Sequence, residues 1–156
     1  MKTNLILTIM LAIGLSANAQ TKKKYCNSRF DYCIKYPNEL VGLGESANGD
    51  GQKFIKNNKK ISLTVYHDSR LVIYNDTEKA IQGSFKQDCE LKDEKTVTYR
   101  KLGNSFYVVS GMKGNLIYYQ KTIIINSRMI TAYLEYDKTL AYIYNDYCKY
   151  LFQSFY

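Results

Sequence analysis

Apolar and polar residues alternate along much of this chain, and the alternation predicts a protein built mainly from β-strands. Every second position from 30 to 36 is apolar, the residues being Phe30, Tyr32, Ile34 and Tyr36. Side chains two positions apart point to the same face of a strand, so these four share one face. Pro37 ends the strand because its nitrogen cannot donate to a neighbouring strand. The first predicted element is therefore a strand with one buried face.

The same pattern predicts six further strands, joined in pairs by short turns. The pairs are Gln52–Ile55 with Lys60–Tyr66, Thr96–Leu102 with Ser105–Ser110, and Asn115–Ile125 with Arg128–Tyr136. The members are separated by Asn57-Asn58, Gly103-Asn104 and Asn126-Ser127, residue types that favour tight turns. The segment Leu71–Tyr74 is either another short strand or an irregular connection.

Two segments have the spacing of amphipathic helices. The first follows Asn75-Asp76-Thr77-Glu78, which combines a capping side chain with acidic residues where the helix dipole favours them. It places Ile81, Phe85 and Cys89 on one face and is predicted to end near Leu91. The second begins near Asp137, and its apolar stripe consists of Leu140, Ile143, Tyr144, Tyr147, Cys148, Leu151 and Phe155.

Consecutive hairpins build an antiparallel sheet, and helices in this order cover its faces. The sequence therefore predicts a single α+β domain, with an antiparallel sheet of about six to seven strands and two flanking helices. We place this domain at residues 28–156 and an N-terminal tail at residues 20–27.

Residues 1–19 have the three parts of an export signal. Lys2 is followed by an apolar run from Leu5 to Leu15. The small residues Ala17 and Ala19 then occupy the two positions that a signal peptidase recognises before its cleavage site. The apolar run is short for a bilayer span, and none is expected elsewhere. We expect residues 1–19 to be removed and a soluble domain to be exported to the periplasm or the extracellular medium.

The chain has a formal net charge of +8. In an exported protein, this charge favours affinity for anionic envelope components such as phospholipid, lipopolysaccharide, teichoic acid or acidic glycans. The alternative is a solvated surface that maintains solubility. Nucleic acid is not an expected partner, because the lysines are scattered apart from Lys22, Lys23 and Lys24, which fall in the predicted, disordered tail.

The four cysteines, Cys26, Cys33, Cys89 and Cys148, form an even set in a chain predicted to be exported. Such a set favours two disulfides, and four cysteines permit three connectivities. A helix-to-strand pair such as Cys33 with Cys89 is compatible with the predicted elements. The alternative, a metal site, is disfavoured because the chain has no CxxC pair and a single histidine, His67. We expect neither a metal nor a cofactor.

Candidate catalytic groups are sparse. His67 could act as a base, but it stands beside Asp68 just after a strand, a place typical of loop histidines. Paired carboxylates could hydrolyse a glycan, but the candidates are dispersed: Glu39, Glu45, Asp50, Glu135 and Asp137. The glycine-rich segment from Gly42 to Gly51 lacks the dinucleotide, phosphate-loop and calcium-loop patterns, and we interpret it as a turn. We therefore expect a protein that is not an enzyme.

Tyrosine is abundant, with sixteen copies and no tryptophan. Tyr107, Tyr118 and Tyr119 lie on one predicted hairpin and could form a tyrosine-lined binding surface. The alternative is that they belong to the core.

Several short motifs, in order, resemble an uncharacterised group of exported bacterial proteins. They are Arg29-Phe30-Asp31-Tyr32 with Tyr36-Pro37, then Asn48-Gly49-Asp50-Gly51-Gln52 with Phe54, Val97-Thr98-Tyr99-Arg100, Tyr107-Val108-Val109-Ser110-Gly111, and Gly114 with Ile117-Tyr118-Tyr119 and Lys121. Asp31 stands where the group usually has glycine. The group is similar in architecture to the PsbP-like fold, whose members are mostly noncatalytic binding or assembly factors. The resemblance implies a fold and supplies no catalytic residue.

These observations favour a secreted or periplasmic noncatalytic protein that binds a protein or an anionic envelope component. An inhibitor or immunity protein is one alternative, since some periplasmic immunity proteins resemble this fold. The other alternative is a small envelope-glycan hydrolase that uses paired carboxylates.

Overall fold

The computed structural model describes residues 22–56, 60–90, 95–151, 153, 155 and 156. The predicted export signal at residues 1–19 lies outside this part of the chain. The strands are β1 (Lys22–Asn27), β2 (Tyr32–Pro37), β3 (Val41–Glu45), β4 (Gly51–Ile55), β5 (Ile61–His67), β6 (Lys95–Leu102), β7 (Phe106–Lys113), β8 (Leu116–Ile125) and β9 (Arg128–Asp137). The helices are α1 (Arg70–Tyr74), α2 (Thr77–Cys89) and α3 (Ala141–Leu151), and a 3-10 turn (Lys138–Leu140) precedes α3.

Seven strands form one antiparallel sheet in the order β3-β4-β5-β9-β8-β7-β6. The remaining two, β1 and β2, form a separate antiparallel ribbon. The predicted α+β class, with an antiparallel sheet of about six to seven strands, is confirmed. β5 pairs with β9, although α1, α2 and β6–β8 lie between them in the sequence. Local sequence patterns do not predict such a long-range contact.

The sheet is covered on both faces. On one side, Ile34 of β2 and Leu151 of α3 are buried against the sheet residues Leu63 and Leu134 in the larger core. On the other side, Ile81 of α2 belongs to the smaller core, which also contains Tyr107 and Tyr118. Along β7, β8 and β9, alternate residues enter the two cores, as the period-two pattern requires.

The hairpin turn between β8 and β9 agrees with its prediction. Asn126 and Ser127 have φ values of 48° and 58°, which a two-residue hairpin turn of this type requires. The start of α2 also agrees, because the side chain of Asp76 accepts a hydrogen bond from the backbone N–H of Lys79. The predicted end near Leu91 lies outside the described residues.

Three segments differ from the prediction. Residues 22–27, assigned to a tail, form β1 because the whole segment pairs with β2. The glycine-rich segment contributes most of β3 and the first residue of β4, so its turn is confined to residues 46–50. The segment Leu71–Tyr74 belongs to a helix despite its β-branched residues, because Asp68 accepts from the N–H of Arg70 and Asn75 ends α1 with φ 48°.

In the part of the chain that the structure describes, no helix has both the length and the apolar character needed to cross a bilayer.

Candidate binding surface

The β1–β2 ribbon is closed by one disulfide. Cys26 lies directly opposite Cys33, with their Cα atoms 4.1 Å apart, and the two sulfurs are bonded. Cys89 of α2 and Cys148 of α3 are free thiols. The predicted pair of disulfides, and the suggested bond between Cys33 and Cys89, are therefore wrong. The helical cysteines face separate cores on opposite sides of the sheet, which keeps them apart.

The end of the described chain adds a short third strand to the ribbon. The backbone N–H of Cys33 donates to the carbonyl of Tyr156 at 2.8 Å, and the N–H of Tyr156 donates back to Cys33 at 3.2 Å. Ile34 and Phe155 form the adjoining antiparallel bridge. Tyr156 is therefore fixed beside β2, opposite Cys33 and on the same face of the ribbon.

The ribbon has two chemically distinct faces. Its inner face contributes Tyr32, Ile34 and Tyr36 to the larger core, as the alternation predicted. Its outer face carries the intervening positions, among them Lys24 and Lys35, which lie directly opposite each other on neighbouring strands. Both lysines are exposed. One face therefore holds the ribbon to the domain and leaves the other to solvent.

The outer face brings lysines together with tyrosine rings. The ammonium of Lys22 lies 4.5 Å from the ring centroid of Tyr150, at the end of α3. The ammonium groups of Lys24 and Lys35 lie 4.9 Å and 5.6 Å from the ring centroid of Tyr156. These distances are within the range of cation–π attraction, worth about 0.5–1 kcal/mol at exposed sites. We call this set of five residues the lysine–tyrosine surface.

The lysine–tyrosine surface is positively charged and accessible. Tyr150 is 51% exposed and Tyr156 is 49% exposed, so each ring keeps about half of its area open beside its lysines. The ion pairs within the described ranges join Arg70 to Asp68 and Asp88, and Lys149 to Asp146. None of them neutralises a lysine of this surface. Its positive charge is therefore available to an anionic ligand.

Sequence patterns missed most of this surface. Lys22, Lys24 and Lys35 are visible as alternating positions, but β1 was assigned to a tail. Tyr150 and Tyr156 approach them only through the packing of α3 and the backbone bridge to β2. The spacing of Cys26 and Cys33 around a short turn was the available sequence indication of a hairpin.

The tyrosines predicted as a binding surface lie elsewhere. Tyr107, Tyr118 and Tyr119 are 0%, 1% and 8% exposed, so they are core residues and the predicted surface is corrected. Tyr107 donates a short hydrogen bond to Asp88. Burial raises the pKa of all three hydroxyls, which stay protonated. Because adjacent residues of a strand point to opposite faces, Tyr118 and Tyr119 belong to different cores.

His67 packs as part of the fold. It ends β5, and its ring stacks on Phe30 with the centroids 4.0 Å apart. Its backbone N–H donates to the carbonyl of Asp50 at 2.9 Å. Burial lowers the pKa of the imidazole, which is therefore neutral at pH 7.

The carboxylates considered for catalysis accept hydrogen bonds from nearby groups. Tyr144 donates to Glu39, Tyr25 to Glu45, Ser46 to Asp50, Tyr133 to Glu135, and the N–H of Thr139 to Asp137. Burial, together with the 2.6 Å bond to Glu45, raises the pKa of Tyr25 to about 12. The contact between Tyr133 and Glu135 lies within β9, and the others join separate segments or cap turns.

A buried ionic cluster, not predicted from the sequence, connects the helices to the sheet. Nη2 of Arg70 lies 2.6 Å from Oδ2 of Asp68 and 3.1 Å from Oδ2 of Asp88. Gln120 of β8 donates to Asp88 and Thr131 of β9 donates to Asp68. Burial alone would lower the pKa of Arg70, but hydrogen bonds to both carboxylates raise it overall, so the guanidinium stays charged.

The glycine-rich segment is a hairpin turn with internal hydrogen bonds. The hydroxyl of Ser46 accepts from the backbone N–H groups of Asp50 and Gly51, at 3.1 Å and 3.2 Å. The side-chain amide of Asn48 donates to Asp50 at 2.9 Å. Over the described ranges, no group of three or more histidine, cysteine or acidic side chains is placed to hold a metal ion.

Comparison with solved structures supports the fold. The NMR structure of cyanobacterial PsbP from Synechocystis sp. PCC 6803 is similar over 90% of this chain and 95% of that chain, with a TM-score of 0.61 and 13% identity. This chain has a PsbP-like fold. A Pseudomonas aeruginosa protein of unknown function is similar over 85% of this chain and 94% of that one, with a TM-score of 0.47 and 11% identity.

Sequence comparison adds no family. No protein-family description and no curated protein matches the sequence. At this level of identity the PsbP-like fold concerns architecture alone, so function has to be argued from the residues of this chain.

Proposed function

We propose that this protein is exported and acts without catalysis, by binding an anionic component of the cell envelope through the lysine–tyrosine surface. The observation that carries the proposal is the convergence of Lys22, Lys24 and Lys35 on one exposed face, with no carboxylate paired to them among the described residues. Three cations so close together attract anions more strongly than scattered lysines do.

The position of Lys24 and Lys35 adds a second argument. Like charges directly opposite on neighbouring strands destabilise the pairing, whereas opposite charges stabilise it. A polypeptide selected for stability alone has no reason to place two lysines here. An anion between the two ammonium groups removes the repulsion, so the arrangement suits a binding site.

Export is supported by two features. The first is the tripartite pattern of residues 1–19. The second is the bond between Cys26 and the half-exposed Cys33, because disulfides persist in oxidising compartments. Mass spectrometry of the exported protein should find a chain that begins at Gln20. An exported protein that still begins at Met1 would contradict the predicted removal of residues 1–19 and the argument for an oxidising compartment.

The alternative hypotheses make different demands on the molecule. A glycan hydrolase needs two carboxylates that face an open cleft. Asp68 and Asp88, two carboxylates that share a partner, are bridged by the Arg70 guanidinium. An inhibitor or immunity protein could use the lysine–tyrosine surface against an acidic protein, and it would then bind that protein in preference to envelope polymers.

The test compares two variants with the same change of net charge. The first replaces Lys22, Lys24 and Lys35 by glutamine, and the second replaces the exposed Lys53, Lys79 and Lys86, which lie on β4 and α2. Phosphatidylglycerol vesicles and polygalacturonate serve as anionic probes. At about 0.5 kcal/mol for each lost surface ion pair, the first variant should bind at least one probe about tenfold more weakly.

The second variant should bind nearly as the unmodified protein does. Binding should also weaken as salt is added, because exposed charges are screened. Equal losses in the two variants would mean that net charge, and not the lysine–tyrosine surface, governs binding. Absence of binding to both probes would contradict the proposal.

A further inference from the structure

The lysine–tyrosine surface repeats one arrangement along the ribbon. Lys22 with Tyr150 forms the first unit, and Lys24 and Lys35 with Tyr156 form the second. Lys22 and Lys24 are two positions apart on β1, so their Cα atoms are separated by about 7 Å along the strand. The surface therefore contains two successive units, each with a lysine ammonium beside a tyrosine ring.

The order of cations and rings along the ribbon fits some anionic ligands better than others. A ligand that matches it carries negative groups at short intervals, and each group adjoins a flat apolar face that can lie on a tyrosine ring. The sugar units of an acidic polysaccharide have both properties. A chain of phosphates without rings satisfies the lysines but leaves the two half-exposed tyrosines without a partner.

The width of the surface favours a single extended chain over a bilayer. The strands of the ribbon are about 5 Å apart, so its outer face is narrow even with the short third strand beside β2. Among the described residues, the exposed aliphatic side chains, which would enter a lipid surface, lie on other elements: Val41 and Leu43 on β3, Val72 and Ile73 on α1, and Leu102 on β6. The lysine–tyrosine surface itself presents tyrosines.

We infer that the lysine–tyrosine surface binds a linear acidic glycan along the ribbon, with anionic groups on Lys22, Lys24 and Lys35 and sugar faces on Tyr150 and Tyr156. This inference rests on the proposed function and specifies its ligand. The anionic group is a carboxylate or a sulfate, since lysine binds both as a point charge.

The experiment separates the rings from the charges. Affinities of the full protein are measured for polygalacturonate, for dextran sulfate with neutral dextran as its control, and for polyphosphate, a polyanion without rings. The ring variant carries Tyr150→Leu and Tyr156→Leu. Its matched control is Tyr142→Leu, at a tyrosine of α3 that is 81% exposed.

The ring variant should bind polygalacturonate or dextran sulfate roughly 5- to 150-fold more weakly, because it removes two aromatic contacts that each contribute about 2- to 12-fold to the affinity. Its affinity for polyphosphate should not change. Tyr150→Phe with Tyr156→Phe keeps both rings and should bind the glycan as the unmodified protein does. If the double leucine variant does not fold, Tyr150→Leu alone replaces it and should weaken glycan binding by about 2- to 12-fold.

Several results would overturn the inference. One is a leucine variant whose affinities for glycan and for polyphosphate fall by the same factor, or do not fall at all. Another is tighter binding, at the same salt concentration, of polyphosphate, phosphatidylglycerol vesicles or a mixed-sequence oligonucleotide than of either acidic glycan. If vesicles still depend on Lys22, Lys24 and Lys35, the proposed function survives and only the glycan is excluded. If no probe depends on these lysines, both conclusions fail.

Discussion

At the scale of single residues, three lysines occupy positions that ordinary stability does not favour. Lys24 and Lys35 face each other across the ribbon. Lys121 of β8 lies on the side of the sheet that faces the larger core, and only 1% of its surface is exposed. The ring of Tyr156 lies near the first two. For Lys121, Nζ lies 3.4 Å from the carbonyl of Leu151 and 4.9 Å from the ring centroid of Phe155.

Lys35→Glu should stabilise the folded protein and weaken anion binding at the same time. The substitution converts a repulsive cross-strand pair into an attractive one, worth about 0.2–1 kcal/mol in the free energy of unfolding. Urea denaturation measures the gain, and polygalacturonate binding measures the loss. Lys35→Gln is the control, with a smaller gain. A less stable Lys35→Glu protein would contradict the like-charge argument.

Lys121→Met should stabilise the protein at pH 7 and lose its advantage as the pH rises. Burial lowers the pKa of Lys121 from 10.5 to about 8. Between pH 8 and pH 10.5, Lys121 is protonated in the unfolded chain and neutral in the folded protein. Its contribution to the free energy of unfolding therefore increases as the pH rises through this range. Methionine avoids the buried charge and should add roughly 1–3 kcal/mol at pH 7.

Urea denaturation from pH 7 to pH 10 tests this difference. The gap between Lys121→Met and the unmodified protein should narrow steadily above pH 8. The exposed residue Lys79 supplies the control, because Lys79→Met should show no such narrowing. A gap that stays constant over this range would mean that burial of Lys121 does not disfavour its charge.

At the scale of elements, local patterns identified the central hairpins and failed where pairing decides the structure. The alternation in β2 is strong because one of its faces enters the larger core and the other faces solvent. Both faces of β8 and β9 enter cores, and the Asn126-Ser127 turn between them identified this hairpin. β1 has three lysines at its start, so its own residues do not indicate a strand. Its hydrogen bonds to β2 and the Cys26–Cys33 disulfide provide the reason that it forms one.

The helix α1 gives the opposite case. Its Val72, Ile73 and Tyr74 favour strands by propensity, and all three are exposed. The segment is helical because Asp68 and Asn75 define its two ends and because Arg70, in its first turn, forms an ion pair with Asp88 of α2. A tertiary contact thus overrides the local preference, and no pattern within the segment could have predicted it.

Thiol titration of the denatured, unreduced chain should find two free cysteines, Cys89 and Cys148. After reduction the count should rise to four. The double variant Cys26→Ser with Cys33→Ser should give two thiols under both conditions, which identifies the pair that forms the disulfide. A count of zero in the unreduced protein would restore the prediction of two disulfides.

At the scale of the whole molecule, the Arg70 cluster fixes the helical layer to the sheet. It combines Asp68 after β5, Arg70 of α1, Asp88 of α2 and Tyr107 of β7. Asp68 is 5% exposed and Asp88 is 7% exposed. Charges this deeply buried need their partners, so the cluster requires one particular arrangement of the layers.

Arg70→Met should lower the free energy of unfolding by about 3–5 kcal/mol, because it leaves two buried carboxylates without their cation. Urea denaturation measures the change. Adding Asp68→Asn and Asp88→Asn should recover much of the loss, since the remaining groups are then neutral. Lys86→Met, at an exposed lysine of α2, should change stability by less than about 0.5 kcal/mol. A similarly small effect of Arg70→Met would contradict this account.

The sequence by itself determined the α+β class, most of the strands of the sheet and the position of α2, because these depend on periodicity and on capping within a few residues. Only the tertiary structure decided which cysteines are bonded, which tyrosines are exposed and that Lys22, Lys24 and Lys35 meet Tyr150 and Tyr156. For the lysines and the tyrosines the reason is distance along the chain, because strand pairing and the docking of the final helix bring them together and local sequence does not encode such contacts. Cys26 and Cys33 are only seven positions apart, and the choice of this pair depends on the pairing of β1 with β2.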